Sequence, residues 1–214
     1  MEPDNSTFKK IKNIILDFGG VVLDIDFDKT YLALGELIGQ DIESEAEGSP
    51  FQILVDQYEK GIINTETFLW NIQRMAKPNI VQPLQIIEAW NKMLLGWKIG
   101  QFQILYHLKR KFRSFLLSNT NEIHIDYTKQ DLKKNYGIAK FEEEFFEKVF
   151  YSFEIGMRKP EISIYKYALE NAGINPEETC FIDDKSDNIE AADSLGFITI
   201  HHERNKPIDY LLHL

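Results

Sequence analysis

The strongest indication of the fold is the stretch Ile14-Ile15-Leu16-Asp17-Phe18-Gly19-Gly20-Val21-Val22. The apolar, β-branched start of this stretch predicts a buried β-strand, and the two glycines let the backbone turn sharply after it. Asp17 lies at the carboxyl end of that strand, which is where open α/β sheets bind their ligands. A carboxylate buried there is costly unless a metal or another cation accompanies it. We therefore predict that Asp17 is a nucleophile or a metal ligand; the alternative is an aspartate that only caps the turn.

Three later segments also place polar groups after an apolar strand or in a loop. The strand Phe115–Leu117 leads into Ser118 and Asn119, and the apolar run before Asp183-Asp184 ends in that acidic pair. Lys159 lies in a loop before a proline that is suited to begin a helix. Together these residues would surround one point with carboxylates, a cation and neutral donors. Such a site suits Mg²⁺ and a phosphoryl group, because Mg²⁺ prefers hard oxygen ligands and shares phosphate oxygens.

Four segments occur in the order DFGGVV (17–22), LLSNTN (116–121), GMRKPE (156–161) and FIDDKSDNIEAA (181–192). Each resembles one motif of the haloacid dehalogenase superfamily of hydrolases, and the resemblance covers nearly the whole chain. The phrases LSNTN, GMRKPEISIY and DDKSDNIEAA are most similar to the sugar-phosphate phosphatase branch typified by α-D-glucose-1-phosphate phosphatase. The resemblance implies a Mg²⁺-dependent phosphatase for a small phosphorylated metabolite, with a sugar phosphate as the expected substrate.

The resemblance also implies a role for each acidic motif residue. Asp17 would attack the phosphoryl group and form an aspartyl-phosphate, which water then hydrolyses. Mg²⁺ would be bound by Asp17, by the backbone carbonyl of Gly19 and by Asp184. Asp183 belongs to the same metal site, where it would hold either a metal-bound water or Lys159.

The remaining motif residues would bind the phosphoryl group. Ser118 is expected to donate to a phosphoryl oxygen, with the backbone or the side-chain amide of Asn119 beside it. Lys159 would neutralise the charge between Asp17 and the phosphate. Taken alone it would more often be a solvated loop lysine, but its place in the third motif, between a glycine and a proline, favours the functional role.

One position departs from the family pattern. Family phosphatases commonly carry a second aspartate two residues after the nucleophile, where it serves as general acid and base, and this chain has Gly19 there. General acid–base help is typically worth about 10²–10⁴ in rate. Asp24 or Asp26 could approach the leaving group in its place, or both could only cap or solvate the turn.

Two other functions are compatible with parts of this pattern. A metal-independent 2-haloacid dehalogenase also lacks the second aspartate, but the Asp183-Asp184 pair argues against metal-free chemistry. A weakly active protein that binds a phosphorylated ligand would explain the loss of the acid at Gly19. That reading is opposed by the presence of four motif residues, Asp17, Ser118, Lys159 and Asp184.

The hydrophobic period changes between Asp28 and Trp97, where apolar residues at helical spacing predict four amphipathic helices. Elsewhere strands alternate with helices, one of them over residues 124–136, which predicts an α/β fold with a parallel, Rossmann-like sheet. We expect residues 1–27 and 98–214 to form this core and residues 28–97 to be inserted after the first strand. By resemblance, the insertion is a helical cap that closes over the sheet.

Composition limits the partners. The 214 residues are 43% hydrophobic and carry a net charge of −10, which makes nucleic acid an unsuitable partner. A single cysteine, Cys180, indicates a reducing compartment. The polar start, Met1 to Lys12, lacks the apolar core of a signal peptide, and no apolar run reaches the ~20 residues that cross a bilayer. We expect a monomeric, cytoplasmic protein without a membrane partner.

Overall fold

The structure is a computed structural model that describes residues 10–42, 48–76, 78 and 80–214. Residues 1–9, which include most of the polar start, lie outside the described residues. The described core contains a five-stranded parallel sheet in the order β5-β4-β1-β6-β7. Its strands are β1 (Asn13–Leu16), β4 (Arg113–Ser118), β5 (Lys148–Tyr151), β6 (Thr179–Asp183) and β7 (Ile198–His201). The predicted α/β fold with a parallel sheet is therefore confirmed.

The central strand β1 shows how the sequence builds two layers around this sheet. Successive side chains of a strand point to opposite faces, so Ile14 and Leu16 pack into one hydrophobic cluster and Ile15 into another. Helices cover both faces, which explains why β1 is apolar without interruption. The register aligns Leu16 with Leu116 of β4 and with Ile182 of β6. The residues that follow these positions consequently emerge at the same edge of the sheet.

Ten α-helices occur in the described residues, numbered α1 to α10. They are α1 (Phe27–Ile38), α2 (Pro50–Glu59), α3 (Thr65–Met75), α4 (Pro83–Trp90), α5 (Gln101–Lys111), α6 (Glu122–Asp131), α7 (Phe141–Phe145), α8 (Ser152–Ile155), α9 (Ile162–Ala172) and α10 (Ser186–Asp193). No helix in this part of the chain is both long and apolar enough to cross a membrane.

Helix α6 differs from the predicted helix over residues 124–136 at both ends. It begins at Glu122, two residues earlier, because the side chain of Asn121 caps it by accepting from the His124 N–H at 3.1 Å. At its other end the chain continues into a π-helical turn, Leu132–Tyr136, which Gly137 ends in the left-handed conformation. Hydrophobic spacing does not encode either event, because the start depends on a side-chain cap and the end on backbone hydrogen bonding.

The predicted switch to helical period corresponds to helices α1 to α4. Their apolar faces form a separate hydrophobic cluster, which includes Leu34, Phe68 and Trp90. The insertion is joined to the core by a short antiparallel pair of strands, β2 (Asp24–Ile25) and β3 (Leu94–Gly96), which the sequence pattern did not predict. Strands this short carry too little alternation to be recognised in a sequence.

Candidate active site

A buried lysine lies between two strand-end carboxylates. The Nζ atom of Lys159 donates to Oδ1 of Asp17 at 2.7 Å and to Oδ2 of Asp183 at 2.6 Å. All three residues are buried, and Lys159 is 2% exposed. Asp17 follows β1 and Asp183 ends β6, and these strands are neighbours in the sheet. The loop lysine of the third motif is therefore buried, because it contacts residues of the first and fourth motifs at the edge of the sheet.

The electrostatics of this group depend on burial and on charge sharing. Burial raises the pKa of Asp17 to about 7, Lys159 opposes this rise, and Asp183 and Asp184 add to it. Burial alone would lower the pKa of Lys159, but its two carboxylate partners raise it above its ordinary value. Lys159 consequently keeps its positive charge. Its attraction to Asp17 is divided with Asp183, so Asp17 still lacks full compensation and is suited to a further cation.

Asn119 fixes the loop that carries this lysine. Its side-chain Nδ2 donates to the Lys159 carbonyl at 2.8 Å, and its Oδ1 accepts from the Lys159 N–H at 2.8 Å. The side-chain amide is thus committed to the loop. Ser118 lies beside Asn119, 2% exposed, and lines a cavity at this edge of the sheet. Of the two predicted groups of Asn119, the side-chain amide is therefore already occupied by the protein.

The two consecutive aspartates of the fourth motif have different surroundings. Asp183 accepts from Lys159, from the Lys185 N–H at 2.9 Å and from Asn188 Nδ2 at 2.9 and 3.0 Å. Both of its oxygens are therefore occupied by protein donors. The predicted alternative in which Asp183 holds Lys159 agrees with this geometry. Asn188, which lies four residues after Asp184, holds Asp183 instead.

Asp184 is less committed than its neighbour. Its Oδ2 accepts from Nε of Arg204 at 2.5 Å, and its side chain is 1% exposed. Ligand oxygens of Asp17, Asp183 and Asp184 lie within 4.8 Å of one another. A set of hard carboxylate oxygens at this spacing suits a divalent cation such as Mg²⁺. Arg204 currently supplies positive charge to one of these carboxylates.

The two glycines after Asp17 make room for this site. Gly20 has a φ of +85°, and a Cβ at this position would lie 2.8 Å from Oδ2 of Asp184. The turn therefore needs glycine both for its left-handed conformation and for the close approach of the carboxylate. At Gly19 a Cβ would lie 3.1 Å from Cδ1 of Ile25. Gly19 contributes backbone to the cavity lining and no acidic group.

Asp24 and Asp26, the candidates for a relocated acid, are engaged elsewhere. Asp24 forms an ion pair with Lys98, and Asp26 caps α1 by accepting from the Asp28 N–H at 3.1 Å. Both residues lie outside the lining described for the cavity. The structure thus favours the reading in which both residues stabilise the turn.

A cavity of about 360 Å³ separates the sheet edge from the helical insertion. One of its walls contains His124, which the sequence analysis did not select. The ring of His124 stacks on Trp90 with centroids 5.1 Å apart and planes 7° from parallel, and its Nδ1 lies 2.9 Å from Oδ1 of Asn91. Burial lowers the pKa of His124 to about 3, so the ring is neutral near pH 7. Its place in the first turn of α6, directly after the second motif, was the available signal.

Arg158 connects the lysine loop to the insertion, and sequence reasoning missed it as well. Its Nη1 lies 2.7 Å from Oδ1 of Asp56, and its Nη2 lies 3.0 Å from Oε2 of Glu59. Both acids belong to α2, and all three residues line the cavity. The available signal was the position of Arg158 directly before Lys159. Its partners could not be read from the sequence because they lie about a hundred residues earlier in the chain.

The chain is thus an α/β protein in which strand-end carboxylates and a buried lysine lie close together, next to a cavity that a helical insertion also lines. Residues 11–196 match the family model described as haloacid dehalogenase-like hydrolase. The chain belongs to this family, as its four motifs predicted.

Individual relatives agree with this assignment over nearly their whole length. The chain is 26% identical over 193 residues to D-ribitol-5-phosphate phosphatase of Bacteroides thetaiotaomicron, covering 90% of this chain and 92% of that protein. It superposes on a HAD family enzyme from the same organism with a TM-score of 0.85 and 34% identity, over 94% of this chain and 98% of that one. A wild-type complex of that enzyme with magnesium and inorganic phosphate gives a TM-score of 0.82 at 33% identity, with the same coverage. The narrower resemblance to glucose-1-phosphate phosphatases stays a prediction.

Proposed function

We propose that this chain is a Mg²⁺-dependent phosphatase that acts on small phosphorylated metabolites through an aspartyl-phosphate at Asp17. The observation that carries the proposal is the buried ammonium of Lys159 between Asp17 and Asp183. A phosphoryl group brought to Asp17 adds negative charge to a site that already holds three carboxylates. Catalysis of phosphoryl transfer depends mainly on positioning and on charge stabilisation, and a fixed cation supplies both.

The donor set fits Mg²⁺. Asp17, Asp184 and the backbone carbonyl of Gly19 would hold the ion, and Asp183 would act on it indirectly because its oxygens are occupied by Lys159 and Asn188. When bound, the ion supplies charge neutralisation and orientation of the phosphoryl group. The structures of the relative with magnesium and inorganic phosphate support this assignment.

The protein groups then have distinct tasks. A carboxylate oxygen of Asp17 forms a bond to phosphorus while the ester P–O bond breaks and the alcohol departs. Water next attacks phosphorus, the bond to Asp17 breaks, and inorganic phosphate leaves. Ser118 and the Asn119 backbone N–H would donate to the phosphoryl oxygens throughout. Lys159 would hold Asp17 in line and balance the charge that develops.

Protonation of the leaving group has no dedicated acid at Gly19. Asp24 and Asp26 are occupied by Lys98 and by the helix cap. The departing alkoxide would therefore take its proton from solvent or from a hydroxyl of the substrate itself. This is consistent with a substrate that carries hydroxyl groups close to the ester.

The expected substrate is a sugar or polyol phosphate. A relative that spans nearly the whole chain is a phosphatase of D-ribitol 5-phosphate, and the cavity of about 360 Å³ is of a size for a small ester. Buried, unpaired Cys180 is compatible with the reducing, cytoplasmic location that we propose for the protein.

Phosphate release from a panel of sugar and polyol phosphates, with Mg²⁺ and with EDTA, tests the proposal. We expect release that requires Mg²⁺ and that falls to a few per cent or less in Asp17→Asn, because an amide is a poor nucleophile. Asp193→Asn, an exposed aspartate of α10, is the matched control and should keep full activity. Halide release from 2-haloacids with EDTA present would instead establish a dehalogenase. Binding of phosphate esters without turnover would establish a binding protein.

A further inference from the structure

One wall of the cavity is built from helix α2. Gln52, Asp56 and Glu59 of this helix line the cavity, which is also lined by Asp17 and Ser118. Gln52 Nε2 donates to Oδ1 of Asp56 at 2.8 Å, so the amide and the carboxylate are held together. The side chain of Asp56 is 38% exposed and that of Glu59 is 17% exposed. Neither side chain is fully buried, and both belong to the cavity lining.

A single guanidinium serves both carboxylates of this wall. Arg158 uses Nη1 for Asp56 and Nη2 for Glu59, at 2.7 and 3.0 Å. Its Nε is buried and has no hydrogen-bond partner among the described residues. Two negative charges against one positive charge leave the wall with a net charge of −1. The forked nitrogens that would bind an anionic substrate group are already occupied by the protein.

The other cations of the described cavity lining are Lys159 and Lys185. Lys159 is committed to Asp17 and Asp183 at the phosphoryl end. Lys185 lies after the fourth motif, with its Nζ 5.4 Å from the centroid of the Phe27 ring. Neither lysine forms an ion pair with the acids of the α2 wall. A ligand tail that reaches Asp56 and Glu59 would therefore meet acceptors and negative charge.

The wall is also tied to the catalytic loop. Arg158 and Lys159 are consecutive, so their Cα atoms lie about 3.8 Å apart. Arg158 contacts α2 while Lys159 contacts Asp17. The phosphoryl site and the wall are therefore contacted by two consecutive residues of one loop. A small ester held at Asp17 would occupy the cavity that Asp56 and Glu59 also line.

We propose that Asp56, Glu59 and Arg158 are specificity-determining residues that select phosphate esters with neutral, hydroxyl-rich tails and reject tails bearing a carboxylate or a second phosphate. The inference rests on the proposed phosphatase function and names the substrate class of that same site. Hydroxyl groups donate to carboxylates, and such charge-assisted hydrogen bonds are stronger than neutral ones. An anionic tail instead faces like charge, which is a recognised way to exclude a wrong partner.

Glycerol 3-phosphate and 3-phosphoglycerate test this selection, because they differ mainly in a hydroxymethyl group against a carboxylate. With Mg²⁺ present, we expect kcat/KM for glycerol 3-phosphate to exceed that for 3-phosphoglycerate about tenfold or more, which corresponds to about 1.4 kcal/mol. Asp56→Asn and Glu59→Gln should each lower this ratio several-fold, since they remove a negative charge and free part of Arg158 for a carboxylate. Glu36→Gln makes the same charge change at an exposed site on α1 and should leave the ratio unchanged.

p-Nitrophenyl phosphate separates failure of this inference from failure of the proposed function. If it is hydrolysed but the wild-type ratio is near one, or if both α2 variants keep the wild-type ratio, the inference is wrong while the phosphatase stands. A preference for 3-phosphoglycerate would also overturn the inference and would indicate that Lys185 binds the carboxylate. If no ester is hydrolysed, the proposed function fails. The dissociation constants of the two esters for Asp17→Asn with Mg²⁺, measured by calorimetry, then decide the selection without turnover.

Discussion

The buried ring of His124 should make the stability of this protein depend on pH. His124 is held between Trp90 and Asn91 in the cavity wall, and burial lowers its pKa from 6.5 to about 3. In the unfolded chain the imidazole takes up a proton near pH 6.5. The folded protein excludes that proton until the pH approaches 3. The contribution to stability is therefore complete above pH 6.5 and is lost as the pH falls from 6.5 towards 3.

The size of the effect follows from the two pKa values. Each unit of pKa difference is worth about 1.4 kcal/mol, so the limiting loss is about 5 kcal/mol at low pH. At pH 5.0 the unfolded histidine is almost fully protonated and the folded one is not, which gives a loss of about 2 kcal/mol relative to pH 7.5. Other groups also titrate over this range, so the contribution of His124 must be taken from a comparison with a variant.

Urea denaturation of the wild type and of His124→Asn at pH 7.5 and 5.0 measures this contribution. Asparagine can keep a donor near the position of Nδ1 for Asn91, but it has no group that titrates here. Unfolding should be followed by circular dichroism and not by tryptophan fluorescence, because Trp90 stacks on the substituted ring and its emission would change with the substitution itself. We expect the wild type to lose about 2 kcal/mol more than the variant between the two pH values. Equal losses in both proteins would show that the ring titrates alike in the folded and unfolded states, which contradicts the lowered pKa.

Two further substitutions test the charged site itself. Lys159→Met leaves Asp17 and Asp183 buried without their shared cation. In urea denaturation at pH 7.5 we expect the free energy of unfolding to fall by about 3–5 kcal/mol. An unchanged midpoint would contradict a stabilising role of these ion pairs. Gly20→Ala would force a Cβ towards Oδ2 of Asp184, whereas Gly196→Ala meets the same left-handed strain with Glu177 Cγ 4.0 Å away. If Asp184 belongs to the proposed metal site, calorimetry should show weaker Mg²⁺ binding in Gly20→Ala than in Gly196→Ala. Equal affinities would contradict that assignment.

The charge arrangement explains why this site tolerates so many buried carboxylates. Lys159 is shared by Asp17 and Asp183, and Arg204 serves Asp184 from the partly exposed carboxyl-terminal segment. Removing one partner of a buried pair usually costs more than the pair contributes, because the other charge is left uncompensated. The folded protein thus keeps its acidic cluster together with two cations, and a divalent ion would add to this compensation.

The edge of the sheet at which the candidate site lies can be predicted from the sequence. Apolar runs ending in Asp17, in Ser118 and in Asp183-Asp184 predict buried parallel strands, and parallel strands have their carboxyl ends at one edge. The switch to helical period likewise placed an insertion after the first strand. These features are local, because hydrophobic period and turn residues are read over a few consecutive positions.

The partner of each side chain, in contrast, depends on the folded arrangement of the chain. Lys159 meets Asp17 across 142 positions of the chain, and Arg158 meets Glu59 across 99 positions. Tertiary contacts also bind the Asn119 amide to the lysine loop. They give Asp183 and Asp184 different partners, Lys159 and Arg204. They also placed His124 against Trp90 in the cavity wall. Such pairings depend on how close packed elements come and on which donors compete for one carboxylate. Neither the closeness of the packed elements nor the competition among donors can be read from neighbouring residues in the sequence. The sequence therefore predicts where the site lies, and the fold determines which charged groups are paired.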